Sequence, residues 1–184
     1  MKIICISGKA QNGKDTTAKF LEETLTSQGH RVLIAHYWDL LKYICRAFFG
    51  WDGKKDEKGR SLLQYVGTDK IREVNPDFWV AFIASILRIF KDEWDYVLIP
   101  DCRFPNEFEF LREMGFDATL VRVVRNGYTS PLTAEQQAHP SETALDEYPA
   151  EVIYNDGTES GLSRAAAEWL LKTNGIHQMC IEEL

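Results

Sequence analysis

The sequence lacks the features that would tie it to a membrane, an oxidising compartment or a nucleic-acid surface. Of its 184 residues only four are cysteine and six are proline. Cys5, Cys45, Cys102 and Cys180 lie far apart, with no C-x-x-C pair and no histidine spaced to complete a zinc site, so they read as reduced thiols of a cytoplasmic protein. No apolar run approaches the roughly 20 residues of a bilayer span. Met1-Lys2 leads directly into Ile3-Ile4-Cys5-Ile6, too short for the core of a signal peptide. Positive charge is scarce as well. Against 28 acidic residues stand 21 basic ones, a net charge of −7 and an isoelectric point near 5.2. A duplex-binding face has to be net basic to displace counterions, so neither a nucleic-acid polymer nor a membrane is an expected partner. Repeats, low-complexity tracts and heptads are absent too.

What is present suits one folded core. Hydrophobic residues make up 45% and aromatics 12% of the chain. At this length about 70% of the unfolded surface can be buried, so no disulfide or structural metal is required. Short apolar, partly β-branched runs at Lys2 to Ile6, Arg31 to Ala35, Tyr96 to Ile99, Thr119 to Val124 and Val152 to Tyr154 predict five strands. Helical patterns fall between them: Asp15 to Gln28, stopped by Gly29; Ser61 to Val74; Pro76 to Lys91, capped by Asn75; Pro105 to Met114, stopped by Gly115; and Leu162 to Thr173, closed by Asn174-Gly175. Strands separated by helices imply parallel pairing with right-handed crossovers, an α/β doubly wound sheet. Two connections exceed what a crossover needs. Residues 37–95 form an insertion, and 126–149, carrying Pro131, Pro140 and Pro149, has little apolar periodicity and reads as a loop or lid. The core is then 1–36, 96–125 and 150–184.

The strongest signal is Gly8-Lys9-Ala10-Gln11-Asn12-Gly13-Lys14-Asp15-Thr16, between the first strand and the first helix. A G-x-x-x-x-G-K loop curls so that successive N–H groups face phosphate oxygens. The helix behind it adds its dipole, and Lys14 supplies a cation for the β and γ phosphates. Asp15 stands where Ser or Thr normally directs a hydroxyl at Mg²⁺. A carboxylate can hold that ion directly or through water, with Thr16 as the competing ligand, and the alternative is that Asp15 only caps the helix.

The third strand ends at Pro100-Asp101-Cys102-Arg103-Phe104-Pro105-Asn106-Glu107. Asp101, at the carboxyl end of a buried strand beside the phosphate loop, is placed to hold the metal's water shell or orient reacting groups; otherwise it caps a helix. Arg103 can reach an anion over the same edge with a two-pronged guanidinium, or else pairs with Glu107. The insertion begins His36-Tyr37-Trp38-Asp39-Leu40-Leu41-Lys42, and its stretch from Arg60 through Gln64 to Arg72 mixes cations, amides and aromatics as a small ionic, planar acceptor requires. No His or Glu stands out as a general base. Transfer onto a phosphate needs none, because that nucleophile is already an anion, which favours a phosphorylated acceptor.

Several motifs occur together: Gly13-Lys14-Asp15-Thr16; Leu63-Gln64 through Gly67-Thr68-Asp69 with Trp79-Val80; Pro100-Asp101 through Arg103 and Glu107; His139-Pro140-Ser141-Glu142 with Leu145-Asp146; and Asn155-Asp156-Gly157. In this order they resemble the phage and bacterial deoxynucleoside monophosphate kinase family over nearly the whole chain, and Asp15 in place of Ser or Thr belongs to that family's pattern. The resemblance implies a P-loop kinase fold: a five-stranded parallel sheet with helices on both faces, an acceptor-binding insertion and a lid. It further implies ATP as donor, Mg²⁺ as cofactor held by Asp15, Thr16 and Asp101, and a deoxynucleoside 5′-monophosphate as acceptor. Carried over by position, Asp39, Lys42, Arg60, Gln64, Arg72 and Trp79 would line the acceptor pocket, with Arg103 on its phosphate. Lys14 would hold the donor. Arg125 would open the lid, whose His139, Ser141 and Glu142 would close over the reacting phosphates and exclude water. Asn155 would sit in the loop that cradles adenine. Trp79 could equally be a packing aromatic, and His139 could simply fix a Pro-containing turn. Two other readings stay open: a kinase for another small phosphorylated metabolite, of the dephospho-coenzyme A or phosphomevalonate type, and a nucleotide-binding module without transfer. A homodimer is also left open.

Overall fold

A computed structural model describes residues 1–173, so Asn174-Gly175 and Cys180 lie outside the described residues. Five strands form one sheet in the order β2-β3-β1-β4-β5: β1 (Lys2–Ser7), β2 (Val32–Ile34), β3 (Tyr96–Ile99), β4 (Asp117–Arg125) and β5 (Glu151–Asn155). Every pairing is parallel, with Ile3 beside both Val97 of β3 and Ala118 of β4. Parallel strands are covered on both faces, which explains the continuous apolar runs of β1 and β3.

The two faces carry separate cores. On one, α1 (Lys14–Ser27) and α8 (Glu159–Thr173) pack Ala18, Leu21, Leu25, Ala166 and Leu170 against Ile4, Ile6, Leu98 and Val121. On the other lie α2 (Trp38–Phe49), α4 (Phe78–Ile89) and α5 (Pro105–Glu113). They contribute Leu41, Cys45, Val80, Leu87 and Leu111 against Ile3, Cys5, Val97 and Ile99. Cys5, Cys45 and Cys102 are free thiols. No helix among the described residues is long and apolar enough to cross a membrane.

The differences from the sequence reading fall in the two long connections. The insertion holds an unforeseen helix, α2. The stretch expected as one helix from Ser61 to Val74 is instead α3 (Glu57–Gln64) running into a π-helical segment, Tyr65–Arg72. Its widened turn brings Gly67 so close to α2 that a Cβ there would lie 2.6 Å from Leu41 Cδ2. The helix expected from Pro76 begins at Phe78, because the Asn75 side chain accepts the Asp77 N–H in a turn of its own. Segment 126–149 holds two short helices, α6 (Ala134–Ala138) and α7 (Pro140–Thr143).

Candidate active site

Chain geometry forces the loop after β1 into its curl. Gly8 has φ +140°, and a Cβ there would lie 2.4 Å from the Val123 carbonyl oxygen; Gly13, with φ +99°, would meet the Asn155 amide at 2.8 Å. Only glycine lets the loop press against β4 and β5 at these points. Gln11 adopts φ 62° without being glycine, the kind of local strain that surrounding contacts must hold. Those contacts are present. The Asn12 amide donates to the Val123 carbonyl (3.1 Å), and the Asn155 amide donates to the Asn12 carbonyl (2.9 Å).

Inside the curl, Lys14 Nζ donates to the carbonyls of Gly8 (2.8 Å) and Lys9 (2.9 Å). Burial, and secondarily the neighbouring Arg103, push its ammonium down to about 8, against the pull of Glu142, Asp15 and Asp101. Asp15 lies outside on the first turn of α1, where His36 Nε2 approaches within 3.4 Å. That contact, chiefly, holds the Asp15 carboxyl below its usual range and raises His36 in return, which also faces Asp101 and Asp39.

Asp101 follows β3 and turns back to α2, its two oxygens accepting the N–H groups of Tyr37 and Trp38, both at 3.1 Å. The two orphan donors at the start of α2 are thereby satisfied by a distant carboxylate. Burial raises Asp101, and His36, these two N–H groups and Arg103 oppose the rise. Arg103 does not pair its guanidinium with Glu107. It reaches across to Glu142 and to the Ser141 carbonyl (2.9 Å), while its backbone N–H donates to Glu107 Oε2 (2.7 Å).

Glu107, wholly buried, is the hub of the far side. It also accepts from the Phe104 N–H (3.1 Å) and from Arg72 (3.1 Å). Arg72 lies 3.7 Å over the Phe104 ring. Burial pushes the Glu107 carboxyl up to about 7 against the stabilising pull of those N–H groups and Arg72.

Segment 126–149 closes over the loop. Glu142 Oε2 accepts the Ala10 N–H at 3.0 Å, and Lys9 Nζ donates to the Glu142 carbonyl and to Asp146, each at 2.6 Å. Tyr128 donates its hydroxyl to Gln11. A cavity of about 240 Å³ remains between Gly8, Asn12, Arg103, Arg122 and Glu142.

A strand, a glycine-bounded loop gripping a buried lysine, and Arg103, four residues past the end of β3 and lining the same cavity as the loop, make an anion-binding geometry. The sequence profile of deoxynucleotide monophosphate kinases matches residues 51–165, reaching from the insertion through β3, β4 and β5 into α8. The chain belongs to that family. A deoxynucleoside-5′-monophosphate kinase of Escherichia phage T5 is 36% identical over 101 residues, 53% of this chain and 37% of that one. A deoxynucleotide monophosphate kinase of Enterobacteria phage T4 is 35% identical over 102 residues, 54% and 39% of the two chains. A protein described as a putative deoxynucleotide monophosphate kinase, from Acanthamoeba polyphaga mimivirus, is 28% identical over 171 residues, 79% of this chain and 82% of that one. The chain thus spans well under half the length of the two phage relatives in these matches. Among solved structures, a sugar kinase from Janibacter superposes with TM-score 0.54 at 14% identity, covering 97% of this chain and 99% of that one. A shikimate kinase from Aquifex aeolicus gives 0.51 at 12%, covering 94% and 96%. At such identities they show the fold, that of the P-loop kinases.

Within this family member, many of the residues expected from the sequence gather at or near the loop. Lys14, Asp15, Asp101, Arg103, Ser141 and Glu142 surround the loop, with Thr16 on the same turn of α1. Asp39 and Lys42 pair with each other at 2.8 Å on the adjoining rim. Arg125 stacks on Tyr128 at 4.6 Å, on the Gln11 side of the loop. His139 Nε2 stands 3.5 Å from Asp69, tying α7 to the π-helical segment.

Other expected residues stand apart. Arg60 turns its Nε to the Lys55 carbonyl (2.8 Å), and Gln64 ends α3. Trp79, 3% exposed, is a core aromatic whose indole N–H bonds the Gly67 carbonyl (3.2 Å). Asn155 commits both ends of its amide to backbone, at Asn12 and Gly157.

Sequence reasoning gave no site role to two residues it passed over: His36, whose ring approaches Asp15, and Glu107, which links Arg72 to the turn of Arg103. The signal for Glu107 was an acid three residues after Phe104 at the start of α5, and for His36 its place just past β2.

Proposed function

We propose that this chain transfers the γ-phosphoryl group of ATP to a deoxynucleoside 5′-monophosphate, giving ADP and the deoxynucleoside diphosphate. The observation that carries this reading is the approach of Arg103 to the cavity bounded by the same loop that buries Lys14: one cation for the donor's phosphates, a second facing them from the turn after β3. Family membership supports it. In this reading the loop N–H groups and Lys14 hold the β and γ phosphates, and Arg103 takes the charge that spreads over the equatorial oxygens during transfer. The acceptor's phosphate oxygen attacks as an anion, so no side chain has to remove a proton.

We read residues 37–95 as the acceptor-binding insertion and 126–149 as the lid. Among the described residues, two buried side-chain polar atoms lack a hydrogen-bond partner, Trp38 Nε1 and Thr68 Oγ1. They flank Gly67, whose Cβ position is 3.3 Å from the Trp38 ring. Unpaired buried donors cost about 1–3 kcal/mol each, so they support an acceptor side at this edge, beside Asp39, Lys42 and Arg72. Mg²⁺ binding as kinases use it needs only one or two carboxylates beside the substrate's phosphates. Asp15, charged and largely exposed next to Lys14, fits that mode, with Thr16 and Asp101 behind it; the ion would neutralise charge on the donor. Reduced buried thiols and ATP as donor accord with a cytoplasmic setting.

The test is ADP release from ATP with Mg²⁺ across a panel of nucleoside monophosphates and non-nucleotide phosphates. Stimulation by a deoxynucleotide is the expected result, and stimulation by none of the nucleotides would overturn the proposal.

A further inference from the structure

We infer that Glu142 decides whether the donor's phosphoryl group passes to a nucleotide or to water, by seating its own carboxylate on the groups that bind the donor's phosphates until the acceptor side releases it. The inference rests on the phosphate-loop reading above.

The carboxylate is held as an anion in a phosphate site would be. Oε2 takes the Ala10 N–H of the loop and Oε1 takes the Arg103 guanidinium. Both donors are groups that a phosphate would need, and charge-assisted bonds of this kind are the strong ones. Glu142 is no loose surface acid, since its side chain is 7% exposed. Its segment is pinned by Lys9 to the Glu142 carbonyl and to Asp146. Arg122 adds bonds to the carbonyls of Leu145, Asp146 (2.9 Å) and Tyr148 (2.6 Å). A carboxylate and a phosphate cannot share the Ala10 N–H and Arg103 without close repulsion between like charges, so donor binding has to displace Glu142.

The release is wired to the acceptor side. His139 begins α7, taking the Ser141 N–H on Nδ1 at 3.2 Å and facing Asp69 of the π-helical segment through Nε2. A nucleotide settling against that segment therefore acts on the helix that carries Glu142. An acceptor phosphate on Arg103 also draws the guanidinium off the carboxylate. The reaction so avoided is hydrolysis: a water oxygen bonds to the γ phosphorus, the bond from that phosphorus to the bridging oxygen of ADP breaks, and of the water's two protons one stays on the inorganic phosphate and the other passes to solvent.

The experiment compares wild type, Glu142→Gln and Glu142→Ala. It measures ATP affinity by calorimetry without acceptor, and ADP release with and without a deoxynucleoside monophosphate. The glutamine variant keeps the side chain's shape, so it carries the test if the alanine variant does not fold. Removing the charge should tighten ATP binding at least about fivefold, as expected when a competing closed state is relieved. ADP release without acceptor should rise, and acceptor stimulation should fall by a similar factor. ATP affinity that stays the same or weakens, or acceptor-free release that does not change, would overturn the gate while leaving the kinase reading intact. A wild-type protein that binds no ATP would overturn both.

Discussion

Replacing Lys14 by methionine should make the fold more stable while removing phosphoryl transfer. The ammonium sits in a buried loop where its pKa falls from 10.5 to about 8. A shift of that size means that keeping the side chain charged in the folded protein costs about 3 kcal/mol at neutral pH. Methionine is close in length and carries no charge, so Lys14→Met should gain up to about 3 kcal/mol at pH 7, less whatever the carbonyls of Gly8 and Lys9 lose with their donor. The pH dependence separates this cause from better packing. Between pH 8 and 10.5 the unfolded wild type still holds the Lys14 proton while the folded form has released it, so wild-type stability rises through that window relative to the variant. Urea unfolding of both proteins at pH 7 and pH 10 is the assay. The gap in favour of Lys14→Met should be largest at pH 7 and shrink by most of its size at pH 10. A variant less stable than wild type at pH 7, or a gap independent of pH, would refute the reasoning.

Two further substitutions follow from the geometry. Glu107→Ala should cost about 3–5 kcal/mol, because it leaves Arg72 buried without its carboxylate; urea unfolding at pH 8 measures it, and a loss below 1 kcal/mol would contradict the hub role. Gly8→Ala places a Cβ 2.4 Å from the Val123 carbonyl at φ +140°, so the loop has to shift. A loss of about 2 kcal/mol or more together with at least tenfold weaker ATP binding is expected, and unchanged ATP affinity by calorimetry would count against the loop as the donor site.

How far the sequence could be read followed how local each structure is. The segment from β1 through the loop to α1 is contiguous, and Gly8, Gly13 and Lys14 identify it without help from the rest of the chain. Strand β3 has the bounds its apolar run suggested, because both faces of a central parallel strand are covered. α2 was hidden by its composition. Its charged residues Asp39, Lys42 and Arg46 do share one face, but the other nine of its twelve residues from Trp38 to Phe49 are apolar or aromatic, and with Tyr43, Phe48 and Phe49 left exposed the apolar side is wider than the buried one. The π-helical turn was hidden for a different reason: it goes with the close approach of Gly67 to Leu41 on α2, a contact between elements that periodicity within one segment cannot express.

The site divides in the same way. Lys14, Asp101 and Arg103 announce themselves by type and place. Their partners do not, since Ala10 meets Glu142 across 132 positions, Arg72 meets Glu107 across 35, and Asp15 meets His36 across 21. Motif reading left Trp79 between the acceptor pocket and a packing role and put Asn155 by position in the adenine loop; in the fold the indole lies in the core and the amide braces the phosphate loop.

The most direct measurement of the central claim follows the label from γ-labelled ATP in a reaction with magnesium and a deoxynucleoside monophosphate. Label should appear in the deoxynucleoside diphosphate, at a rate that falls at least a hundredfold in Arg103→Ala, on the order expected for losing one charge-stabilising donor. Label found only in inorganic phosphate, or transfer that survives without Arg103, would contradict the account.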